Sequence, residues 1–278
     1  TITREVINGG SNVQYGEGQV TGRHLLVGGE AAGNHYFTVR AVRKAVRFLK
    51  TMNAPRYEGS YWAIIHPDCS YDIQDDPDWK RPHEYKDTSN IYDDEIGKIA
   101  GVRFIETTEA KVFHADDLTE GARDLTVKSA SSKVLTVNEA ITTADAAKLA
   151  GREVVIGGAL LEIESATAAG AGSATITLKE APAATPTAST TIYPGEAGAK
   201  GRNVYSTLIM GAEAYGTTEL TGGGLEHIVK PLGSAGTADP LNQRATVGWK
   251  ATKVAERLVE AYMIRVETTS TFDETPLT

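Results

Sequence analysis

The clearest repeating pattern of apolar and polar positions lies in residues 36–53, YFTVRAVRKAVRFLKTMN. Its apolar residues recur at spacings of three and four, which predicts one buried stripe along a helix. Basic residues recur at the same spacings on a second stripe that no acid interrupts, and Asn53 and Pro55 then end the helix. The apolar stripe is Val39, Val42, Val46 and Leu49, and the basic stripe is Arg40, Arg43, Arg47 and Lys50.

Short apolar runs between turn residues predict strands in much of the remaining chain. Residues 61–65 form such a run, and the acidic, aromatic segment SYDIQDDPDWKRPHEY that follows it is expected to be a loop. Residues 203–216 favour a helix, because their apolar residues recur three or four apart. The apolar face of that helix would be Val204, Leu208, Ala212 and Tyr215. Further strands are expected within 91–104, around Ile228, and over 245–250 and 262–269.

Residues 115–197 differ in composition from the rest of the chain. They contain 19 Ala and 12 Thr, and only one of the chain's 19 aromatic residues, Tyr193. Such a break marks a domain boundary, and we interpret the region as a small β-rich insertion. A hairpin is expected at Gly157-Gly158, and a short helix over 144–150, with Thr142 or Thr143 as its cap and Gly151 at its end. Strands are expected at 125–127, 134–137, 154–156, 161–163, 176–178 and 192.

Residues 1–35 are rich in glycine and poor in apolar residues. Eight of these residues are Gly, a density that weakens both helices and strands. The segment therefore cannot build its own core, and we predict an extended arm or long hairpin that gains order by lying on another surface. Its first residues, TITR, contain neither Met nor a basic, apolar leader, so no signal peptide is expected.

The net charge of −8 hides an asymmetry along the chain. Residues 1–57 carry a net charge of +5, and residues 58–114 a net charge of −7. These blocks predict complementary surfaces, within one chain or between copies, unless the charges are simply solvated. The basic stripe is accordingly a candidate contact for a neighbour's carboxylates or for DNA phosphate. The candidate acidic partner loop contains Asp72, Asp75, Asp76 and Asp78.

The motifs that would signal catalysis, a metal or a cofactor are incomplete. The single cysteine, Cys69, excludes a disulfide framework, and its spacing of three from His66 rarely aligns a thiol with an imidazole. The acidic loop lacks the central glycine and final glutamate of an EF-hand. His66 and His83 lack an HExxH-like partner, and Thr221–Gly224 lacks the Gly-Lys-Ser/Thr of a phosphate-binding loop. We expect a globular protein that is no enzyme and holds no cofactor.

Three ordered stretches carry a resemblance. They are YWAIIHPDCSYDIQDDPDWK with IYDDEIGKIAGVRFIETTEAKVF, then NVYSTLIMGAEAYG, then DPLNQRATVGWKATKVAERL with AYMIRVETTS. Together they resemble the major capsid proteins of tailed phages, in the phage N4-type branch of the Hong Kong 97-type capsid fold. The resemblance covers residues 36–114 and 198–270. The matching motifs are Glu95-Ile96-Gly97, Gly101-Val102, Glu106-Thr107, Asp239-Pro240-Leu241 and Gly248-Trp249-Lys250.

The resemblance implies an α+β architecture in six segments. Residues 1–35 would be the N-terminal arm and extended loop that lie over neighbouring subunits, and 36–56 the spine helix of the peripheral domain. Residues 57–114 and 198–245 would build the axial domain, and 246–278 would return to the peripheral domain as its C-terminal strands. The β-rich insertion domain, 115–197, would project from the shell. No lysine precedes Lys44, so a covalent Lys–Asn cross-link from the extended loop is not expected.

The function implied by the resemblance is that of a shell subunit. It would assemble with itself into hexamers and pentamers of an icosahedral virion head that encloses dsDNA, in the host cytoplasm and without a membrane. Its other partners would be a portal and scaffold or cement proteins. Two alternatives stay open from the sequence. One is another phage-derived assembly, such as a decoration or tail-tube protein or an encapsulin-type compartment, and the other is a hydrolase that uses Cys69 or the acidic loop.

Overall fold

A computed structural model defines the architecture of residues 11–28, 35–80, 97–219, 226–234, 241, 243–250 and 253–272. Within these residues the protein is a mixed helix-and-sheet protein, as the sequence predicts. The helices are α1 (Val39–Thr51), α2 (Pro67–Asp75) and α3 (Thr143–Leu149). The strands are β1 (Val13–Tyr15), β2 (Tyr61–Ile65), β3 (Lys98–Ile99), β4 (Val102–Glu106), β5 (Val112–Phe113), β6 (Leu125–Ser131), β7 (Val134–Val137), β8 (Glu153–Ile156), β9 (Ala159–Thr167), β10 (Thr175–Leu178), β11 (Thr191–Pro194), β12 (Val204–Met210), β13 (Tyr215–Glu219), β14 (Glu226–Lys230), β15 (Thr246–Lys250), β16 (Lys253–Arg257) and β17 (Met263–Thr268).

A mixed sheet forms the centre of the described structure. Its strand order is β1-β17-β12-β2-β4-β3, and β5 pairs with one end of β12. The β1/β17 and β2/β4 pairs are parallel, and the other pairs are antiparallel. Both β12 and β17 are buried along their whole lengths. Strands from the predicted arm, axial and C-terminal segments therefore share one sheet, and residues 13–15 of the arm lie on a strand of their own chain.

Helix α1 covers one face of this sheet and confirms the helix predicted there. Its apolar stripe packs into one core with Tyr61, Ile65 and Ile209 of the sheet. The Thr38 hydroxyl accepts a hydrogen bond from the Ala41 amide at 3.2 Å and so caps the first turn. At the other end Asn53 adopts φ of +55°, and the Ala54 amide donates to the Leu49 carbonyl at 2.9 Å. This Schellman geometry ends the helix.

Residues 125–194 form a closed barrel with its own core. The strand order is β10-β7-β6-β11-β8-β9, and alternate side chains of each strand point inward. Gly157 and Gly158 have φ of +58° and +85°, the left-handed pair that a two-residue hairpin turn requires. The Thr142 hydroxyl accepts from the Asp145 amide at 3.1 Å at the start of α3. The strands, the turn and the helix predicted in this region are confirmed.

The helix predicted over residues 203–216 is wrong. This stretch contains β12, a turn and the first two residues of β13, and β12 pairs with both β17 and β2. A strand buried on both faces appears as a continuous apolar run, in which a helical spacing of three or four can also be found. The β-branched and aromatic residues of VYSTLIM favour a strand, and they are the part of the sequence that argues against a helix.

The loop predicted for SYDIQDDPDWKRPHEY is also wrong over residues 70–75, which belong to α2. Pro67 occupies the first helical turn, and the ring of His66 accepts a hydrogen bond from the Asp68 amide at 3.2 Å. Proline in the first turn with an acid beside it is a helix-start signal that the sequence did contain. Residues 77–80 are helical as well.

Two antiparallel pairs, β13/β16 and β14/β15, complete the described strands. They confirm the strands predicted around Ile228 and over 245–250, and β17 confirms the strand over 262–269. In the parts of the chain that the structure describes, no helix is long and apolar enough to cross a membrane. His83, Glu95-Ile96, Thr221–Gly224 and Asp239-Pro240 lie outside the described residues.

Candidate functional site

The basic stripe lies on the face of α1 that points away from the sheet. Its four predicted members are exposed, and so is Lys44, which the stripe pattern missed. The spacing of three and four that buries one side of α1 leaves these cations in solvent on the other side. The helix therefore presents one continuous positive face.

Glu17 neutralises only the N-terminal end of this face. Its carboxylate lies 3.3 Å from Arg40 and accepts a hydrogen bond from the Thr38 hydroxyl at 2.9 Å. The Lys44 ammonium contacts the Glu17 carbonyl. Within the described residues, no carboxylate lies within ion-pair distance of the other three predicted cations, which border a shallow cavity of about 480 Å³ beside Ala100. Those three, Arg43, Arg47 and Lys50, are available to a partner's anionic groups.

Asp72 does not belong to an exposed acidic surface. It lies in α2 with 9% of its surface exposed, and its carboxylate accepts a hydrogen bond from the Thr271 amide at 3.3 Å. The Thr271 hydroxyl contacts the same carboxylate. Burial raises the pKa of Asp72, and the hydrogen bonds from Thr271 oppose that shift. Asp72 thus fixes the C-terminal segment after β17 to α2, which corrects its predicted place on a loop.

The other three predicted acids differ in their partners and in how exposed they are. Asp76 accepts a hydrogen bond from the Val39 amide at 2.9 Å, so it serves the start of α1. Asp75 forms an ion pair with Lys80. Asp75 and Asp78 have exposed side chains, and of the two only Asp75 forms an ion pair within the described residues.

Cys69 and His66 do not form a nucleophile–base pair. Cys69 is fully buried, its sulfur lies 3.7 Å from the Thr268 hydroxyl, and burial raises the pKa of its thiol. The Nδ1 atom of His66 accepts a hydrogen bond from the Asp68 amide, and burial lowers the pKa of this histidine. Among the described residues no three metal-ligating side chains are grouped.

A buried ionic cluster joins the N-terminal segment to β17, and sequence reasoning missed it. The Glu267 carboxylate is fully buried and binds Arg23 through two hydrogen bonds of 2.7 and 2.9 Å. Arg265 contacts the same carboxylate at 2.8 Å. The Arg23 guanidinium also lies 3.4 Å from the ring centre of Phe113. No local pattern signals a pair 244 positions apart in the chain.

Arg152 joins the barrel to its two connecting segments. Its guanidinium lies 2.6 Å from the Glu196 carboxylate and donates to the carbonyls of Asp116 and Asp117 at 2.6 and 2.7 Å. Glu196 follows β11, and the two carbonyls precede β6. The planar guanidinium of Arg152, with its several donors, therefore binds both segments that connect the barrel to the rest of the chain.

A match to a known protein family indicates the kind of protein that carries these surfaces. A model of the phage capsid protein family matches residues 3–218. The chain belongs to the phage capsid protein family. The family match supports a capsid role for this chain.

The similarity of this chain to individual proteins is weaker than its similarity to the family. No curated protein sequence matches this capsid protein. Among solved structures it is similar to a chain of the acidic stable capsid structure of Helicobacter pylori bacteriophage KHP30, with 9% identity and a TM-score of 0.41. The match covers 85% of this chain and 60% of that chain, so this capsid protein spans about three fifths of the length of the structure it matches.

Proposed function

We propose that this capsid protein is the major shell subunit of a tailed phage, with the Hong Kong 97-type fold of the phage N4-type branch. The observation that carries the proposal is the family match over residues 3–218. The ordered motifs from the His-Pro strand end to Gly248-Trp249-Lys250 support the branch. The subunit would tile hexamers and pentamers of an icosahedral head around dsDNA, in the host cytoplasm, with a portal and scaffold or cement proteins as further partners.

The surface charges fit a subunit that contacts copies of itself. Arg43, Arg47 and Lys50 form an exposed positive patch, and Asp75 and Asp78 are exposed acids on a different segment of the same chain. Every copy in a shell carries both surfaces, so the positive patch of one copy can face the acids of the next. The barrel, residues 125–194, would project from the shell as an insertion domain with no catalytic duty.

Negative-stain electron microscopy beside sedimentation analysis tests the proposal. Closed shells, or rings of six and five, are the expected result. Trimers would indicate a decoration protein, and uniform six-fold rings that never close would indicate a tail tube. Closed shells that retain a protein cargo and no DNA would favour an encapsulin-type compartment. A monomer at every concentration, with the other head proteins present, would contradict a shell subunit.

A further inference from the structure

Residues 22–28, defined here as the wedge, contact both the central sheet and the segment that leaves the barrel. Arg23 binds the buried carboxylate of Glu267 on β17, which fixes the start of the wedge to the sheet. The same guanidinium donates to the carbonyl of Glu196 at 3.4 Å, just after the last strand of the barrel. One short segment from the beginning of the chain therefore joins two parts of the fold.

The end of the wedge holds the connection from the barrel to β12. Leu26 is fully buried, and its carbonyl accepts a hydrogen bond from the Ala199 amide at 2.8 Å. Gly28 lies so close to Arg202 that a β-carbon at this position would clash with the guanidinium. Ala199 and Arg202 both belong to the connection over 195–203. The position of this connection therefore depends on the position of the wedge.

Val27 is fastened by two residues, and the three together are defined here as the latch. The Val27 amide donates to Nδ1 of His35 at 2.8 Å, and the Val27 carbonyl accepts from the Thr269 hydroxyl at 3.1 Å. The Thr269 amide donates in turn to the His35 carbonyl at 3.1 Å. Of these groups only the imidazole changes its charge near neutral pH.

Protonation of His35 is incompatible with the closed latch. An Nδ1 atom that carries a proton cannot accept a hydrogen bond from the Val27 amide. His35 is 5% exposed, so its charged form would be largely removed from water, which is costly for an unpaired charge. Burial accordingly lowers the pKa of His35.

The ionisable groups on the neighbouring elements do not offset this cost. The His35 ring lies against the turn at Gly16, and burial raises the pKa of the adjacent Tyr15. Burial lowers the pKa of His24 on the wedge, and Glu153 of the barrel opposes that shift. The carboxylates of the neighbouring elements bind other groups: Glu17 binds Thr38 and Arg40, Glu267 binds Arg23 and Arg265, and Asp72 binds Thr271.

We propose that the latch is a pH-sensitive device that holds the wedge, and with it the connection to the barrel, when His35 is neutral and loosens both in acid. The latch is fully closed above about pH 6.5, where His35 is neutral in the closed and in the open state. It weakens as the pH falls below that value, because only the open state takes up the proton. Arg23 keeps its charge over this range, so the start of the wedge stays bound. The inference concerns a single chain and does not depend on the proposed shell function.

Hydrogen exchange of the full chain tests the latch, read by mass spectrometry at pH 7.5 and pH 5.5 and corrected for the intrinsic effect of pH. Protection of the peptides that contain Val27 and Ala199 should fall about tenfold at pH 5.5, about one unit below the ordinary pKa of histidine. Protection of β12 in the sheet and of β7 in the barrel should stay unchanged. Unchanged protection at Val27 and Ala199 would overturn the inference. An equal fall in all four peptides would show a global loss of stability and would overturn it as well.

Three variants separate the titration of His35 from its packing. His35→Asn keeps an acceptor oxygen without a titrating ring, so protection of the wedge should become the same at both pH values. Thr269→Val removes the hydroxyl bond to Val27, so protection should be lower at both pH values while the fall in acid remains. His227→Asn, at an exposed histidine of β14, is the matched control and should behave as the parent. A tenfold fall that persists in His35→Asn would assign the effect to another group and overturn the inference.

Discussion

The carboxylate of Asp76 accepts a hydrogen bond from the backbone amide of Val39 at 2.9 Å. The segment that follows α2 thereby supplies a negative group to the start of α1, where the Thr38 hydroxyl caps the Ala41 amide. The first turn of α1 contains no acid of its own. A carboxylate at this end satisfies a free amide and opposes the positive end of the helix dipole.

Removal of this carboxylate should therefore destabilise the protein. We expect Asp76→Ala to lower the free energy of unfolding by about 1 kcal/mol, the usual value of a lost helix cap. Asp76→Asn keeps an acceptor oxygen and should lose less. Asp78→Ala, which removes an exposed carboxylate two residues away, is the control and should change stability by less than about 0.5 kcal/mol. Urea denaturation measures all three, and equal effects of Asp76→Ala and Asp78→Ala would contradict this role.

Charge reversal on α1 tests the positive patch. Arg43→Glu/Arg47→Glu should reduce shell yield, most strongly at low salt, because screening weakens a contact between surface charges as salt rises. The control Lys133→Glu/Lys148→Glu changes the net charge equally on the exposed surface of the barrel. If the patch instead lines the lumen, empty shells should form normally and DNA retention alone should fall. Unchanged shell yield and DNA content at every ionic strength would refute both roles.

His35 should make stability depend on pH. It is 5% exposed, and its Nδ1 accepts a hydrogen bond from the Val27 amide at 2.8 Å, which requires the neutral ring. Burial lowers the pKa of His35 below its ordinary value, and burial also lowers the pKa of His24 and His66. The unfolded chain takes up these protons at about pH 6.5, so it binds more protons than the folded chain below that pH. Stability is full above about pH 6.5 and declines as the pH falls.

The variant His35→Asn isolates this effect. Its side-chain oxygen takes the position of Nδ1 and does not titrate, so the loss of stability between pH 8 and pH 5 should become smaller than in the parent. Comparison of the two proteins at pH 8, where the histidines are neutral, gives the packing cost separately. Thermal denaturation at both pH values supplies the data. An identical decline in parent and variant would exclude His35 as a contributor.

Cys69 should be unreactive in the folded protein. The thiol is fully buried, and burial raises its pKa, so the reactive thiolate is disfavoured as well as inaccessible. We expect iodoacetamide to leave the native protein unlabelled and to label one site per chain in denaturant, as read by mass spectrometry. Rapid labelling of the native protein would revive the hydrolase alternative.

The sequence alone predicted the elements whose signal is local. Prediction failed where a residue's environment depends on residues that are distant in the chain. Helix α1 has a complete pattern, with an apolar stripe and an Asn-Pro end, and the Gly157-Gly158 turn needs nothing beyond two glycines. The sequence of strand β12 favours a helix because burial on both faces removes the alternation that marks a strand. The basic face could be predicted from spacing alone. The intramolecular hydrogen bonds of Asp72 and Asp76 could not be predicted, because their partners Thr271 and Val39 lie far from them in the chain.

Arg152 should control how firmly the barrel is held to the rest of the chain. Its side chain is 13% exposed and binds one carboxylate and two carbonyls in the connecting segments. Arg152→Ala should leave these acceptors unpaired and destabilise the junction by about 1–3 kcal/mol. Arg152→Lys keeps the charge but loses the planar fork, so it should restore only part of that loss.

Limited proteolysis measures the effect, since loosened connections should be cut at residues 115–124 and 195–203 and release an intact barrel. The control is Lys179→Ala, which removes an exposed ion pair with Glu162 on the barrel itself. Such exposed pairs contribute little, so this variant should be cut at the parent rate. Arg152→Ala cut no faster than Lys179→Ala would show that the junction is held by packing alone and that the guanidinium is dispensable.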